Sequence, residues 1–170
     1  MAVRPVRLTE KEFAMIVLDE KNIILDCDAQ NWEQVIRIAG ARLRENGYID
    51  DAYIEAIIER EKEYPTGLPT DDVITALPHA NSGAVYKTGV CAVRLAHPVD
   101  FRNMGDPEET LPVEMAFVLA NASGPDAHLE DLQELMDCFT RVGLLADLKR
   151  AQSVAAFQEV FAAREQYPEA

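Results

Sequence analysis

Residues Leu111–Ala120 read Leu-Pro-Val-Glu-Met-Ala-Phe-Val-Leu-Ala. Val113, Met115, Phe117 and Leu119 recur with a period of two, so one face of a strand is expected to carry all four. The other face is mostly small or apolar as well. A strand apolar on both faces needs cover on both, which predicts a sheet with helices on either side. Lys87–Ala96 reads as a second inner strand, and Asn103–Pro107 as the turn between the two.

Outward from this pair, strand-like and helix-like segments alternate, the pattern of a layered α/β domain. Towards the N-terminus, Val73–Leu77 is a short apolar strand running into the turn-rich Pro78-His79-Ala80-Asn81-Ser82-Gly83. Pro65–Asp72 (PTGLPTDD) is dense in turn residues and predicts a surface loop. Tyr53, Ile54, Ile57 and Ile58 mark the buried stripe of a helix from about Asp50 to Lys62. Trp32, Val35, Ile36, Ala39 and Leu43 mark another, with Asp28 as its expected cap and Asn46-Gly47 as its stop. Phe13–Asp26 predicts one or two edge strands with a turn at Asp19–Asn22. Towards the C-terminus, Ser123-Gly124-Pro125-Asp126 is a helix start with Ser123 as the expected cap. Leu129, Leu132, Met136 and Phe139 are its expected buried face. Leu144, Leu145 and Leu148, then Val154, Phe157, Val160 and Phe161, predict one or two closing helices.

The 170 residues are expected to form one domain, 1–170. The longest apolar runs fall far short of a bilayer span, and no secretion signal is read at the start. Cys27, Cys91 and Cys138 show no paired spacing, which argues for reduced thiols in a cytoplasmic protein. A net charge of -14 repels nucleic acid and anionic membrane and attracts a basic partner. The same acidity also serves solubility alone.

Three histidines are present. His79 follows a short strand and Pro78, which stiffens the backbone on both sides of the bond. His128 falls in the first turns of a helix, where free amides favour an anion. His97 precedes Pro98 in a connection and carries no such context. Imidazole is nucleophilic when neutral, and a nitrogen–phosphorus bond keeps a high transfer potential. Such a site needs a planar cation to offset phosphoryl charge, and Arg60, just before the PTGL loop, is best placed. The plainer readings are an idle exposed His79, an Arg60 that caps its helix or pairs with Glu63, and a surface His128. The histidine spacing matches no standard metal site, and Cys91 and Cys138 read as buried structural thiols.

The run Arg60-Glu61-Lys62-Glu63-Tyr64-Pro65-Thr66-Gly67-Leu68, followed by Ala76-Leu77-Pro78-His79-Ala80, resembles enzyme IIA of the bacterial sugar phosphotransferase system, in its fructose–mannitol superfamily. The resemblance continues through Pro98-Val99-Asp100-Phe101, Met104-Gly105, the strand Val113–Ala120 and His128-Leu129. The PTGL and PVDFRNMG stretches look most like the galactitol-type branch. Where many members have a GIAIPHG-type segment, this chain has Ile74-Thr75-Ala76-Leu77-Pro78-His79-Ala80.

The resemblance implies an α/β fold with a mixed β-sheet flanked by helices on both faces. It implies that His79 carries the phosphoryl group, that Arg60 positions it and that His128 assists, with no metal or organic cofactor. The implied donor is the phosphocarrier HPr. The implied acceptor is a cysteine of enzyme IIB, with membrane association only indirect, through the enzyme IIC permease. A regulatory protein similar to the nitrogen-type enzyme IIA is the alternative.

Overall fold

The structure, a computed structural model, describes residues 16–81, 84–122 and 124–170. Its centre is the pair β4 (Gly89–Arg102) and β5 (Thr110–Ala120), antiparallel over most of their length. β1 (Ile23–Cys27) lies parallel on β4 at one edge. On the other side β3 (Thr75–Ala76) pairs parallel with β5, and β2 (Gly67–Leu68) pairs antiparallel with β3. The order β1-β4-β5-β3-β2 makes an open, mixed, five-stranded sheet.

Alternation along β4 sends Cys91 and Val93 to one face and Val90 and Ala92 to the other. Helices α1 (Trp32–Glu45) and α2 (Asp51–Glu63) cover the first face with Val35, Ile36, Leu43, Ile54, Ile57 and Ile58. Helices α3 (Pro125–Thr140), α4 (Leu144–Arg150) and α5 (Val154–Ala162) cover the second. There Phe157 and Phe161 are fully buried against the sheet, and the Phe117 and Phe139 rings meet at a tilt, 4.9 Å between centroids. Each such side chain contributes about 1.5–3 kcal/mol of burial. The sandwiched sheet expected from Leu111–Ala120 is therefore present.

Several local expectations are corrected. α1 is capped by Asn31, whose side chain accepts from the Gln34 amide, while Asp28 instead bonds His97 at 2.9 Å. His97 lies inside β4, which runs on to Arg102 because the PVDF stretch pairs with β5. Val113 joins the opposite core cluster from Met115, Phe117 and Leu119. The Ile74 carbonyl accepts from both the Glu114 and the Met115 amides, and a doubled contact of this kind breaks the two-residue alternation. On α3, Leu129 (58% exposed) and Met136 (39%) face solvent, and Leu135, Cys138 and Phe139 form the buried stripe. Gly124, at φ 95°, is the N-cap of that helix; Ser123 lies outside the described residues, as do Ser82, Gly83 and Phe13–Met15. Ile16–Leu18 form no strand, while Asp19 caps a 3-10 turn over Glu20–Asn22, at the expected position.

The expected PTGL surface loop is half interior. Pro65, Thr66 and Gly67 are buried, and Gly67 lies in β2. The Gly67 carbonyl accepts from the Met104 amide at 2.8 Å, so the two signature stretches pack on each other. A Cβ added to Gly67 would sit 2.6 Å from the Arg102 carbonyl oxygen, which is backbone and cannot swing aside. Gly67→Ala is therefore expected to destabilise the fold by about 1–3 kcal/mol. Urea unfolding should show this as a lower midpoint at unchanged slope.

Candidate functional site

β3 ends at Ala76, and the chain beyond it is pinned residue by residue. The Leu77 amide donates to the Thr66 carbonyl at 3.2 Å and to Thr66 Oγ1 at 3.3 Å. Pro78 has no amide to give, but its carbonyl accepts from the Leu119 amide of β5 at 3.0 Å. Tyr53 of α2 donates its hydroxyl proton to the Leu119 carbonyl at 2.7 Å, and its oxygen lies 3.3 Å from the Ala80 amide. Burial pushes the Tyr53 phenol up to about 12, so it stays a donor. His79 thus stands at the C-terminal end of a parallel strand, the usual place for sites in open α/β sheets, with its neighbours on both sides tied to the core.

His79 is 5% exposed. Its Nδ1 lies 2.7 Å from the Leu77 carbonyl oxygen. A carbonyl can only accept, so Nδ1 carries the proton and Nε2 keeps the lone pair. Burial, helped by the charge of Arg60 and by His128, lowers the His79 pKa to about 4 against the opposing pull of the Leu77 bond. The ring is therefore neutral at pH 7.

His128 reaches the same place from the first turn of α3, its ring centroid 5.2 Å from that of His79 and tilted by 51°. Burial first, then Arg60, lowers its pKa. Arg60 belongs to the last turns of α2, partly buried, its guanidinium 5.1 Å from the centroid of the Tyr64 ring. Among the described residues, Arg60 Nε and His128 Nε2 are buried side-chain atoms with no hydrogen-bond partner. The structure brings together all three residues singled out from the sequence. His97 stays apart, exposed and paired with Asp28.

Five further polar residues, Glu61, Thr66, Arg102, Asn121 and Asp131, frame the site and were not singled out. Glu61 is 4% exposed, and its carboxylate accepts from the Thr66 amide at 2.8 Å and the Thr66 hydroxyl at 2.9 Å. Burial pushes Glu61 up to about 7, against the pull of the Thr66 bonds and of Arg102 and Arg60. Arg102 donates to the carbonyls of Glu61 and Lys62, closing the C-terminus of α2. Asp131, 5% exposed and one turn beyond His128, accepts from the Asn121 side chain at the end of β5. Burial pushes it up to about 6. A signal for Glu61 was available: it continues the spacing of Ile54, Ile57 and Ile58 along the buried stripe of α2. Asp131 likewise lies four residues before Leu135.

All three cysteines are buried thiols, and burial pushes Cys91 up to about 12 and Cys138 to about 11, which leaves them unreactive. No group of three or more His, Cys, Asp or Glu gathers to hold a metal ion among the described residues. No described helix is long and apolar enough to cross a membrane.

The His79 shift carries a sign that can be measured. Its imidazole takes a proton near 6.5 when unfolded but only near 4 when folded. Between those values the unfolded chain binds more protons, so the stabilisation is full above pH 6.5 and is lost as pH falls to 4. The loss should be on the order of 3 kcal/mol. His79→Gln should remove this part of the acid sensitivity, read as the difference between the two proteins' unfolding free energies across the same pH range.

Comparison with known proteins places the chain. It matches the family described as "Phosphoenolpyruvate-dependent sugar phosphotransferase system, EIIA 2" over residues 16–163. The mannitol-specific EIICBA component of Pasteurella multocida is 35% identical over 117 residues, covering 67% of this chain and 18% of the relative. The fructose-specific EIIA component of Haloferax volcanii is 33% identical over 119 residues, covering 68% of this chain and 73% of the relative. The chain spans only 14–24% of the length of the EIICBA relatives it matches. Among solved structures, the complex of enzyme IIAMTL with phosphorylated enzyme IIBMTL from Escherichia coli matches with a TM-score of 0.70 at 25% identity, covering 88% of this chain and 99% of the other. The nitrogen regulatory protein IIA-Ntr from Neisseria meningitidis matches with a TM-score of 0.68 at 26% identity, over 85% and 95%. The chain belongs to the EIIA type 2 family of the phosphoenolpyruvate-dependent sugar phosphotransferase system.

Proposed function

We propose that this protein is a phosphoryl carrier, taking a phosphoryl group onto His79 Nε2 from phosphorylated HPr and passing it to a cysteine of enzyme IIB. One observation carries the reading. A neutral histidine with its proton on Nδ1 feels the charge of Arg60 and packs 5.2 Å, ring to ring, from His128, and Arg60 Nε and His128 Nε2 are buried with no partner among the described residues. Leaving such atoms unpaired costs about 1–3 kcal/mol each, and phosphoryl oxygens would satisfy both.

In the forward step the Nε2 lone pair attacks phosphorus. The donor's nitrogen–phosphorus bond breaks, and its electron pair returns to the donor ring. Nδ1–H stays on the Leu77 carbonyl throughout, so the ring does not turn as its charge changes. Arg60 offsets charge on the phosphoryl oxygens, and His128 hydrogen-bonds them. In the onward step a thiolate sulfur attacks the same phosphorus, the Nε2–phosphorus bond breaks, and His79 recovers its lone pair. None of these steps uses a metal or organic cofactor. The net charge of -14 suits a donor with a basic rim. Each contact should be small, because each partner leaves after transfer.

Residues 1–170 acting as one cytoplasmic EIIA domain, linked to the membrane only through enzyme IIC, belong to the same reading. The sugar follows less directly. The two relatives compared are mannitol- and fructose-specific. The galactitol-like PVDFRNMG stretch serves here to pair β4 with β5 and to hold Gly67, which is a structural duty. A hexose or polyol, galactitol included, is the proposed class. The likeness to the nitrogen regulatory protein favours a second reading, in which phosphorylation of His79 controls a partner instead of feeding transport.

The test supplies phosphoenolpyruvate, enzyme I and HPr, then a candidate IIB. Wild type should acquire an acid-labile label at Nε2, and His79→Ala should acquire none while keeping its circular dichroism. Arg60→Ala should slow transfer by about 10²–10³-fold. A labelled His79→Ala protein would overturn the assignment. Labelling without onward transfer to any IIB thiol would favour the regulatory reading.

A further inference from the structure

Glu61 occupies a core position of α2, in line with Ile54, Ile57 and Ile58. For the fold alone an apolar side chain would suit that position better, since taking an ionised carboxylate out of water is costly. The carboxylate is spent on Thr66. Oε1 accepts from the Thr66 amide at 2.8 Å, and both oxygens lie within 3.1 Å of Thr66 Oγ1. Because the hydroxyl proton goes to Glu61, the Oγ1 lone pairs are left for the Leu77 amide at 3.3 Å, which also reaches the Thr66 carbonyl at 3.2 Å. This fixes the peptide whose neighbouring carbonyl accepts from His79 Nδ1 at 2.7 Å. The buried contacts therefore run without a gap from a carboxylate to the ring.

We propose that Glu61 is a positioning residue for phosphoryl transfer, holding His79 in its Nδ1–H form through Thr66 and Leu77 so that Nε2 stays free to react. The part concerning transfer rests on the carrier reading above; the part concerning the ring does not. Arg60 and Glu61, adjacent in the chain, then serve the same histidine from two sides, one through charge and the other through hydrogen bonds.

Nitrogen-15 NMR of the imidazole rings tests this in the intact chain, with His97, exposed and paired with Asp28, as the internal control. Wild type should show His79 as a single Nδ1–H tautomer titrating well below 6.5. Glu61→Ala and Thr66→Val should mix the Nδ1–H and Nε2–H tautomers and, because the weakened Leu77 bond had favoured the charged ring, should not raise the titration. The phosphorylation rate from phospho-HPr should fall about ten- to a hundredfold with KM for the donor unchanged. Glu61→Gln keeps one acceptor oxygen and should recover most of the rate lost in the alanine variant. If Glu61→Ala does not fold, Thr66→Val decides alone. Folded variants with the wild-type tautomer and rate would sink the proposal. A tautomer that responds as described in a protein that never takes up phosphate would remove the carrier reading and leave the Glu61 link to the ring standing.

Discussion

β4 and β5 are buried on both faces, and that burial constrains everything around them. A strand pair covered by α1 and α2 on one side and by α3, α4 and α5 on the other has no room for an unpaired polar side chain. Chemistry is therefore pushed to where the sheet ends. Leu119 shows how the centre still governs the edge. Its amide holds Pro78 and its carbonyl holds Tyr53, so one core residue of β5 sets the segments on either side of His79. The site inherits its rigidity from the hydrophobic sandwich.

Rigidity matters because the proposed reaction needs little else. A phosphoryl carrier need not distort a substrate or activate water. It has to present one nitrogen lone pair, keep the ring neutral and meet the charge of the incoming group. Burial provides neutrality by driving the imidazole pKa down. The Leu77 carbonyl selects the nitrogen. Arg60 and His128 bring polar atoms that have no partner among the described residues. These features make the site less stable in isolation than an apolar one would be, as expected where local rules are broken for function.

The structural role of the signature stretches also becomes clear. PTGL and PVDFRNMG are far apart in the chain, yet Gly67 is bonded to Met104 and pressed against the Arg102 backbone, while Arg102 closes the end of α2. Together they set the height of Thr66 relative to Leu77. Residues that read as turn chemistry in the sequence act as a spacer between a helix end and a strand end.

The amino-acid sequence by itself determined the layered α/β plan, the helices from Trp32 and near Asp51 and the inner strands, and it singled out His79, Arg60 and His128 as candidates. Periodicity and local stiffness are properties of neighbouring residues, and those are readable in one dimension. What only the tertiary structure decided depends on contacts between distant segments. Val113 changed faces because the backbone near Glu114 is irregular. Leu129 and Met136 face solvent because α3 seats on Leu135 and Cys138. Half of PTGL is interior because β3 and the Asn103–Met104 turn close over it. The protonated nitrogen of His79 was settled by a carbonyl two residues back whose orientation depends on Thr66 and, through it, on Glu61. No local pattern encodes such a chain of bonds, since every link joins groups that only folding brings within reach.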